Sequence, residues 1–413
     1  MGLFHISEEE KLLDAIENNN IKKAISLIEN SKKILNLNEI FRYETSLFLE
    51  AIYKDNYDIV ELLIEYANHH EIFLNLNEKN IYGNYPLLRA IYNNNAKIVK
   101  LLMEYANRHQ IILNLNDKKD GNYPIFYAFK NNNSYIVKLL MEYANQHQII
   151  LELKNKNYDE NYFFKRAIFN NNFTLVKLLI EYANQHQLIL KLNNKDDDGY
   201  YPFSRAIYNK NEEIIKLLIE YANQHQIILE LNKKNKDENY PFLMAIYNNN
   251  NNVVKLLIEY ANKYQIILNL NDKIYGEYPI YYAIRRNNSY IVKLLIEYAN
   301  QHQIILELNE KNKDGDYPLL KAIEKNYIDM VELLIEYTNQ NQIILDLNVR
   351  NWKGYPLYSA IKNKNFEIFK LLIEYALQHQ IILEYNEKDI GNNYKINELL
   401  DHYENQKGKW KKV

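Results

Sequence analysis

Seven histidines stand at one fixed distance from a tyrosine. His70, His109, His147, His186, His225, His302 and His379 each lie four residues after a tyrosine that closes a recurring Leu-Leu-Ile-Glu-Tyr-Ala phrase. Imidazole binds transition metals and titrates near neutral pH, so the column invites a ladder of metal sites or a pH sensor. A metal ion needs several donors, however. The chain has no cysteine, and within any repeat only His69, beside His70, offers a second imidazole. A spacing of four places Tyr and His on one helix face, which predicts a local contact instead.

A second column is carboxylate: Glu65, Glu104, Glu142, Glu181, Glu220, Glu259, Glu297, Glu336 and Glu374. Calcium binding or acid–base work is conceivable, but seven copies have a lysine four residues earlier, as Lys100 precedes Glu104. A solvated helix face with weak ion pairs is the expectation. There is no phosphate-cradling glycine loop, nucleophile elbow or His-Glu-x-x-His. No catalytic, cofactor-binding or metal-binding residues are expected, and the chain is not expected to be an enzyme.

These columns are set by a repeat. The phrase tyrosines are Tyr66, Tyr105, Tyr143, Tyr182, Tyr221, Tyr260, Tyr298, Tyr337 and Tyr375, a period of 38–39 residues. All seven prolines (Pro86, Pro124, Pro202, Pro241, Pro279, Pro318, Pro356) follow a tyrosine at one position of the unit. Proline suits the first turn of a helix, where its missing N–H costs nothing. One unit then reads as two helices. A short one follows Pro86 and stops at Asn93-Asn94-Asn95, asparagine being tolerant of the left-handed conformation that ends helices. A longer one carries Ile98, Val99, Leu101, Leu102, Tyr105 and Ala106 at helical spacing. The run Ile111-Ile112-Leu113-Asn114-Leu115-Asn116 is too brief for a third helix and reads as an extended return. Asn-rich tracts such as Asn248 to Asn252 have a prion-like composition, but they fall in the inter-helix turn and read as loop. Heavy use of Asn, Lys, Ile and Tyr is also what an AT-rich genome produces.

The unit resembles the ankyrin repeat, whose signature is Thr-Pro-Leu-His-x-Ala in about 33 residues. Asp198-Gly199-Tyr200-Tyr201-Pro202-Phe203-Ser204-Arg205-Ala206, then Ile214-Ile215-Lys216-Leu217-Leu218 and Tyr221-Ala222-Asn223, hold its turn glycine, helix-start proline, helix alanine and apolar pairs in register. The resemblance runs from about Glu10 to Asp401 and implies an all-α, ankyrin-like helical-repeat solenoid. HEAT or armadillo repeats are the alternative; the proline position and Asp-Gly turn favour ankyrin. It also implies neighbouring repeats about 10 Å apart, too far for adjacent histidines to share an ion bonded at ~2 Å.

Three departures matter. The family threonine is tyrosine in most copies (Tyr85, Tyr123, Tyr201) and Ser46 in one, and the family histidine varies (Leu88, Phe126, Ser204, Tyr281). Aromatic packing is expected to replace the Thr–His hydrogen bonding. The glycine ending the family's second helix is the recurrent tyrosine here, so that helix should run a turn longer, to His109 and its equivalents.

The expected organisation is about ten helix-pair repeats and a partial C-terminal cap. Residues 1–37 form a degenerate capping repeat with Ala15 and Asn19 in register, 38–386 nine repeats, and 387–413 a partial cap and basic tail, frayed from Glu404 to Val413. Terminal repeats with polar outer faces are what such arrays require.

Function is expected to be protein–protein interaction without catalysis, through the turn tips and the first-helix face that the resemblance assigns to contacts. A mechanical spacer, or less readily a groove-based ligand-binding protein or enzyme, is the alternative. Two residues after the helix alanine the chain reads Tyr53, Tyr92, Lys130, Phe169, Tyr208, Tyr247, Arg285, Glu324 and Lys362. This predicts an aromatic-lined face grading into charge. Turn tips vary as well: Ile81-Tyr82, Lys119-Asp120, Asp197-Asp198, Ile274-Tyr275 and Trp352-Lys353. Tyr, Trp and Arg most often carry binding energy, so Tyr53, Tyr82, Tyr92, Phe169, Tyr208, Tyr247, Tyr275, Arg285 and Trp352 are the candidate partner-binding residues.

The 413 residues carry 50 basic and 53 acidic side chains, a net charge of −3, which leaves no basic excess for a phosphate backbone. No nucleic-acid partner is expected. No run approaches the ~20 apolar residues of a membrane span, and Met1 to Ser7 lacks an apolar signal core. Gly2 does not begin a myristoylation motif, since Ile6 stands where Ser or Thr is needed. A monomeric cytoplasmic protein, with the nucleus also open to it, is the expectation, in keeping with the absence of cysteine.

Overall fold

The computed structural model describes residues 6–153, 161–196, 198–273, 277–385, 394–405 and 410–412. Two compact halves divide at residues 194 and 195. Each half is an ankyrin-like stack of antiparallel helix pairs.

In the N-terminal half the pairs are Glu8–Glu17 with Ile21–Glu29, Leu47–Tyr53 with Tyr57–His69, Pro86–Tyr92 with Ala96–Arg108, Pro124–Lys130 with Ser134–Gln146, and Tyr162–Phe169 with Phe173–Gln185. In the C-terminal half they are Pro202–Tyr208 with Glu212–Gln224, Pro241–Tyr247 with Asn251–Lys263, Pro279–Arg285 with Ser289–Gln301, Pro318–Glu324 with Ile328–Gln340, and Pro356–Lys362 with Phe366–Gln378. A further helix, Tyr394–Asn405, packs on the last of these and buries Ile396 and Leu400. From the second pair on, the first (inner) helix is short, with seven or eight residues, and the second (outer) helix has 13.

The asparagine tract between the two helices does three jobs, residue by residue. The first asparagine caps the inner helix and donates its Nδ2 to a carbonyl of the preceding repeat, as Asn93 does to Ile52, Asn248 to Ile207 and Asn363 to Ile323, each at 2.7 Å. The second takes the left-handed conformation, with φ +60° at Asn94 and +58° at Asn249. The third caps the outer helix. Asn56, Asn95, Asn133, Asn172, Asn211, Asn250, Asn288 and Asn365 accept, at 2.9–3.2 Å, the N–H three residues on. The tract is therefore a specified turn rather than loose polar sequence.

The outer helix does run the extra turn. It ends at Arg108 with His109 as its cap, and Gln110 then turns left-handed at φ +56°. Ile111 N–H returns to Ala106 O at 2.8 Å, a helix end that glycine ordinarily serves. Gln148, Gln187, Gln226, Gln265, Gln303, Gln342 and Gln380 repeat the geometry.

The extended return that follows has no strand beside it within the array, yet its backbone polar groups must find partners. Side chains from three consecutive repeats supply them. In the return after Gln110, the Tyr143 hydroxyl of the next repeat donates to Ile111 O at 3.1 Å and accepts from Leu113 N–H at 3.3 Å. The Asn77 amide of the previous repeat donates to Ile112 O at 2.8 Å and accepts from Asn114 N–H at 3.0 Å. Tyr85, the residue before the proline in the same repeat, donates to Asn114 O at 2.8 Å.

The hydroxyl clamp recurs at Tyr66, Tyr105, Tyr260, Tyr298, Tyr337 and Tyr375. The amide clamp recurs at Asn38, Asn116, Asn232, Asn271, Asn309 and Asn348. Tyr85, Tyr240 and Tyr317 are fully buried, with hydroxyls on Asn114 O, Asn269 O and Asp346 O. The tyrosine in the threonine position therefore makes no cap hydrogen bond of its own. It ties the helix start to the return by a longer reach.

The last return differs. No further tyrosine of the phrase follows it, and Leu383–Tyr385 pairs instead in parallel with Trp410–Lys412. Part of the tail expected to fray is thus in register as a strand, because an extended segment lacking its hydroxyl clamp still needs backbone partners.

Three outcomes follow from this bonding. Tyr298→Phe removes the partner of Leu268 N–H and Ile266 O and should lower unfolding free energy by about 2 kcal/mol, measured by denaturant titration. Burial pushes up the phenols of Tyr105, Tyr143, Tyr182, Tyr260, Tyr298 and Tyr337, more than the Leu N–H hydrogen bonds lower them. Stability carried by protonated phenols is complete below the unfolded value of about 10 and lost as pH rises above it, so melting should collapse above pH ~10 and hold just below. Gln110→Gly should stabilise by about 0.5–1 kcal/mol, since the exposed glutamine pays for a left-handed backbone; a fall in melting temperature would contradict this.

Candidate functional site

The histidine column is a seam between repeats. Each ring leans on its own tyrosine, with centroids 4.2 Å apart for Tyr105–His109, Tyr143–His147 and Tyr298–His302. The Nε2 atoms of His109, His147, His302 and His379 lie 2.7–2.8 Å from the side-chain oxygens of Asn68, Asn107, Asn262 and Asn339, one repeat back. Where histidine is absent, Tyr264 reaches Asn223 at 2.6 Å and Asn341 reaches Asn300 at 3.2 Å. The column needs a donor with reach, not an imidazole. Among the described residues no His/Cys/Asp/Glu group could hold a metal ion. In the glutamate column, exposed pairs such as Lys100–Glu104 at 3.5 Å and Lys177–Glu181 at 3.8 Å lie on the outer-helix surface, each worth about 0.3–0.5 kcal/mol.

The inner-helix residues two after the alanine lie at the surface. Tyr92, Phe169, Tyr208 and Tyr247 are 50%, 50%, 56% and 49% exposed. In the N-terminal half, Arg89 fills the space beside them: its guanidinium carbon is 3.7 Å from the Tyr53 ring centroid and 5.1 Å from that of Tyr92. Tyr53 is only half-exposed as a result, and Asn84 donates to its hydroxyl at 3.3 Å. Tyr92 also meets Tyr127, with centroids 5.4 Å apart, and Arg166 stands 5.4 Å from the Phe169 ring. At the turn tips Tyr82 is exposed against Tyr43, and Trp352 is 78% exposed with Lys353 over its ring. Tyr275, with Ile274 and Asp197, lies outside the described residues.

In the C-terminal half three candidates come together. Tyr208, Tyr247 and Arg285, from successive repeats, line one recess of about 650 Å3 with Met244 and Tyr282, inside the roughly 300–1,000 Å3 range of ligand pockets. Tyr208 meets Tyr200 at 5.4 Å and Tyr247 meets Tyr282 at 5.5 Å, both edge to face. Arg285 pairs with Glu277 at 3.0 Å and lies 4.9 Å from the Tyr282 ring. Burial, then the Glu277 charge, pushes the Tyr282 phenol up to about 12.

The residues missed from sequence belong to a second column, one before the alanine: Glu50, Arg89, Tyr127, Arg166, Arg205, Met244, Tyr282, Lys321 and Ser359. It varies as much as the first, and three residues along a helix is one face. That spacing was the signal available.

Glu324, at the charged end of the first column, is not a free charge. Lys321, buried, pairs with Asp316 and with Glu324 at 3.5 Å, while Asn351 donates to Glu324 at 2.7 Å. Burial alone raises the Asp316 carboxyl, but hydrogen bonds from Lys321 and Asn351 and the Lys321 charge outweigh it and hold it below its usual range. Arg205 is likewise buried, bonded to Asp196 at 2.8 Å and Asp198 at 2.9 Å. Of the first column's charged members, Glu324 thus belongs to an internal network, whereas Arg285 lines the recess and Lys362 is exposed.

A family model described as ankyrin repeats (3 copies) matches residues 12–111, 48–150, 164–265, 223–305 and 298–383. No curated protein matches. Similar solved structures include an ankyrin repeat domain from Acinetobacter baumannii AYE, 22% identical over 53% of this chain and 99% of that one, with a TM-score of 0.40. The ankyrin repeat domain of Bcl-3, a member of the IkappaB family, is 19% identical over 62% and 99%, with a TM-score of 0.39. The human ASB11 ankyrin repeat domain is 18% identical over 56% and 89%, with a TM-score of 0.37. The family rests on the matched residues, which span most of the sequence: the chain belongs to the ankyrin-repeat family.

Proposed function

We propose that this chain is a non-catalytic scaffold that holds a protein partner against its inner-helix face and turn tips. Ankyrin repeats as a class mediate protein–protein interaction. The observation that carries the reading here is the half-exposed aromatic rings on the inner helices of each half, Tyr92 and Phe169 in the N-terminal half and Tyr208 and Tyr247 in the C-terminal half, each with another ring or a cation beside it. Rings held by their neighbours lose little freedom on binding, which is what makes aromatic anchors effective. The positions that the helix packing, the Asn turns and the clamps require recur from repeat to repeat. The variable ones lie on this face and on the turn tips, as a scaffold specifying a partner needs. No helix among the described residues is long and apolar enough to cross a membrane, and a cytoplasmic site of action is part of the proposal.

The test is selection of binders from a displayed peptide library against the wild-type chain, followed by measurement on a variant carrying Tyr92→Ala, Phe169→Ala and Tyr208→Ala. Affinity of the selected binders should fall at least about tenfold. The melting temperature should move by only a few degrees, because these rings are half in solvent already. Binders indifferent to the triple variant would place recognition elsewhere, and a large melting shift would mean the rings hold the fold.

A further inference from the structure

The internal repetition supplies its own reference for the recess in the C-terminal half. In the repeat of the N-terminal half that starts at Pro86 the residue before the helix alanine is Arg89, and its guanidinium lies between Tyr53 and Tyr92, tyrosines of adjacent repeats. The equivalent tyrosines in the C-terminal half are Tyr208 and Tyr247, and the residue in register with Arg89 is Met244. Methionine is uncharged and carries no planar group. Its thioether lines the recess, and the room a guanidinium would take is left open between the rings.

Charge decides what fits there. Lys210 and Arg285 both line the recess, and the lining holds one carboxylate, Glu277, already bonded to Arg285. Arg286, exposed, stands 5.4 Å from the Tyr247 ring. Lys210 is exposed on its turn, and neither it nor Arg286 has a carboxylate partner among the described residues. A cationic guest would meet like charge on this rim, whereas a carboxylate would meet unpaired ammonium and guanidinium. The floor, by contrast, is apolar and polarisable, with Met244 among tyrosine rings, and suits a flat aromatic group.

We propose that this recess takes an aromatic side chain flanked by acidic residues, presented by a partner protein. The ring enters between Tyr208 and Tyr247 over Met244, and the neighbouring carboxylates engage Lys210 and Arg286. This deepens the scaffold reading and rests on it, naming the chemistry of one contact.

The experiment uses the full chain and three labelled, end-blocked pentapeptides, read by fluorescence anisotropy: Glu-Asp-Trp-Asp-Glu, Glu-Asp-Ala-Asp-Glu and Lys-Arg-Trp-Arg-Lys. The acidic tryptophan peptide should bind best and weaken with salt. Met244→Arg supplies from within the guanidinium that Arg89 supplies elsewhere; it should close the recess, weaken that peptide at least about tenfold and leave the melting temperature unchanged. Lys210→Glu, on an exposed turn, should weaken it similarly and carries the test if Met244→Arg perturbs folding. Tighter binding of the basic peptide, equal binding of the alanine peptide, or indifference to both substitutions would overturn the proposal. If no pentapeptide binds while display-selected binders still depend on Tyr92, Phe169 and Tyr208, this inference fails and the scaffold reading stands. If the acidic peptide binds and Met244→Arg blocks it while display yields nothing, the recess is real and the scaffold reading fails.

Discussion

An extended segment without a neighbouring strand leaves its peptide groups exposed to a loss of several hydrogen bonds, and this array contains one such segment in every repeat. The tyrosine hydroxyl resolves the problem. A single phenol both donates and accepts, so Tyr143 serves Ile111 O and Leu113 N–H together, while the Asn77 amide does the same for the alternate pair. The lengthened outer helix is what carries each tyrosine to that place, and the left-handed glutamine is what turns the chain back beneath it. The rest of the repeat is arranged around this exchange.

Much of this was legible in the sequence. The period, the proline register and the apolar spacing gave the helix pairs, and tyrosine in place of the helix-ending glycine at Tyr105 gave the longer outer helix. What could not be read was the partner of each polar side chain, because bonds across 29 to 41 residues leave no local signature. Asparagine and tyrosine looked like a compositional habit of the genome. In the fold, Asn93, Asn94 and Asn95 have separate geometric tasks, and Tyr85 and Tyr105 bond different parts of the return segments.

The candidate surface was half legible. One variable column, through Tyr92, Tyr208 and Tyr247, could be picked out by its variation and residue types, and its rings are half-exposed. The column three residues earlier went unread because its members are chemically mixed, from Arg89 to Met244 to Lys321, and their meaning depends on what each covers. Arg89 lies over the Tyr53 ring, whereas Met244 lines an open recess. At Glu324 the sequence suggested an open charge, whereas Lys321 and Asn351 enclose it. Burial of a charge by its own neighbours cannot be inferred from a column of letters.

The clamps give the repeats the same two faces: a tyrosine and a histidine or its substitute that reach backward, and an asparagine that reaches forward. A unit built this way is interchangeable with its neighbours. Duplicating or deleting one whole period would recreate familiar joints on both sides, so arrays of this design can grow or shorten by recombination without inventing a new interface. What such an event would change is the order of the surface residues, and with it the repertoire of molecules that the array can hold.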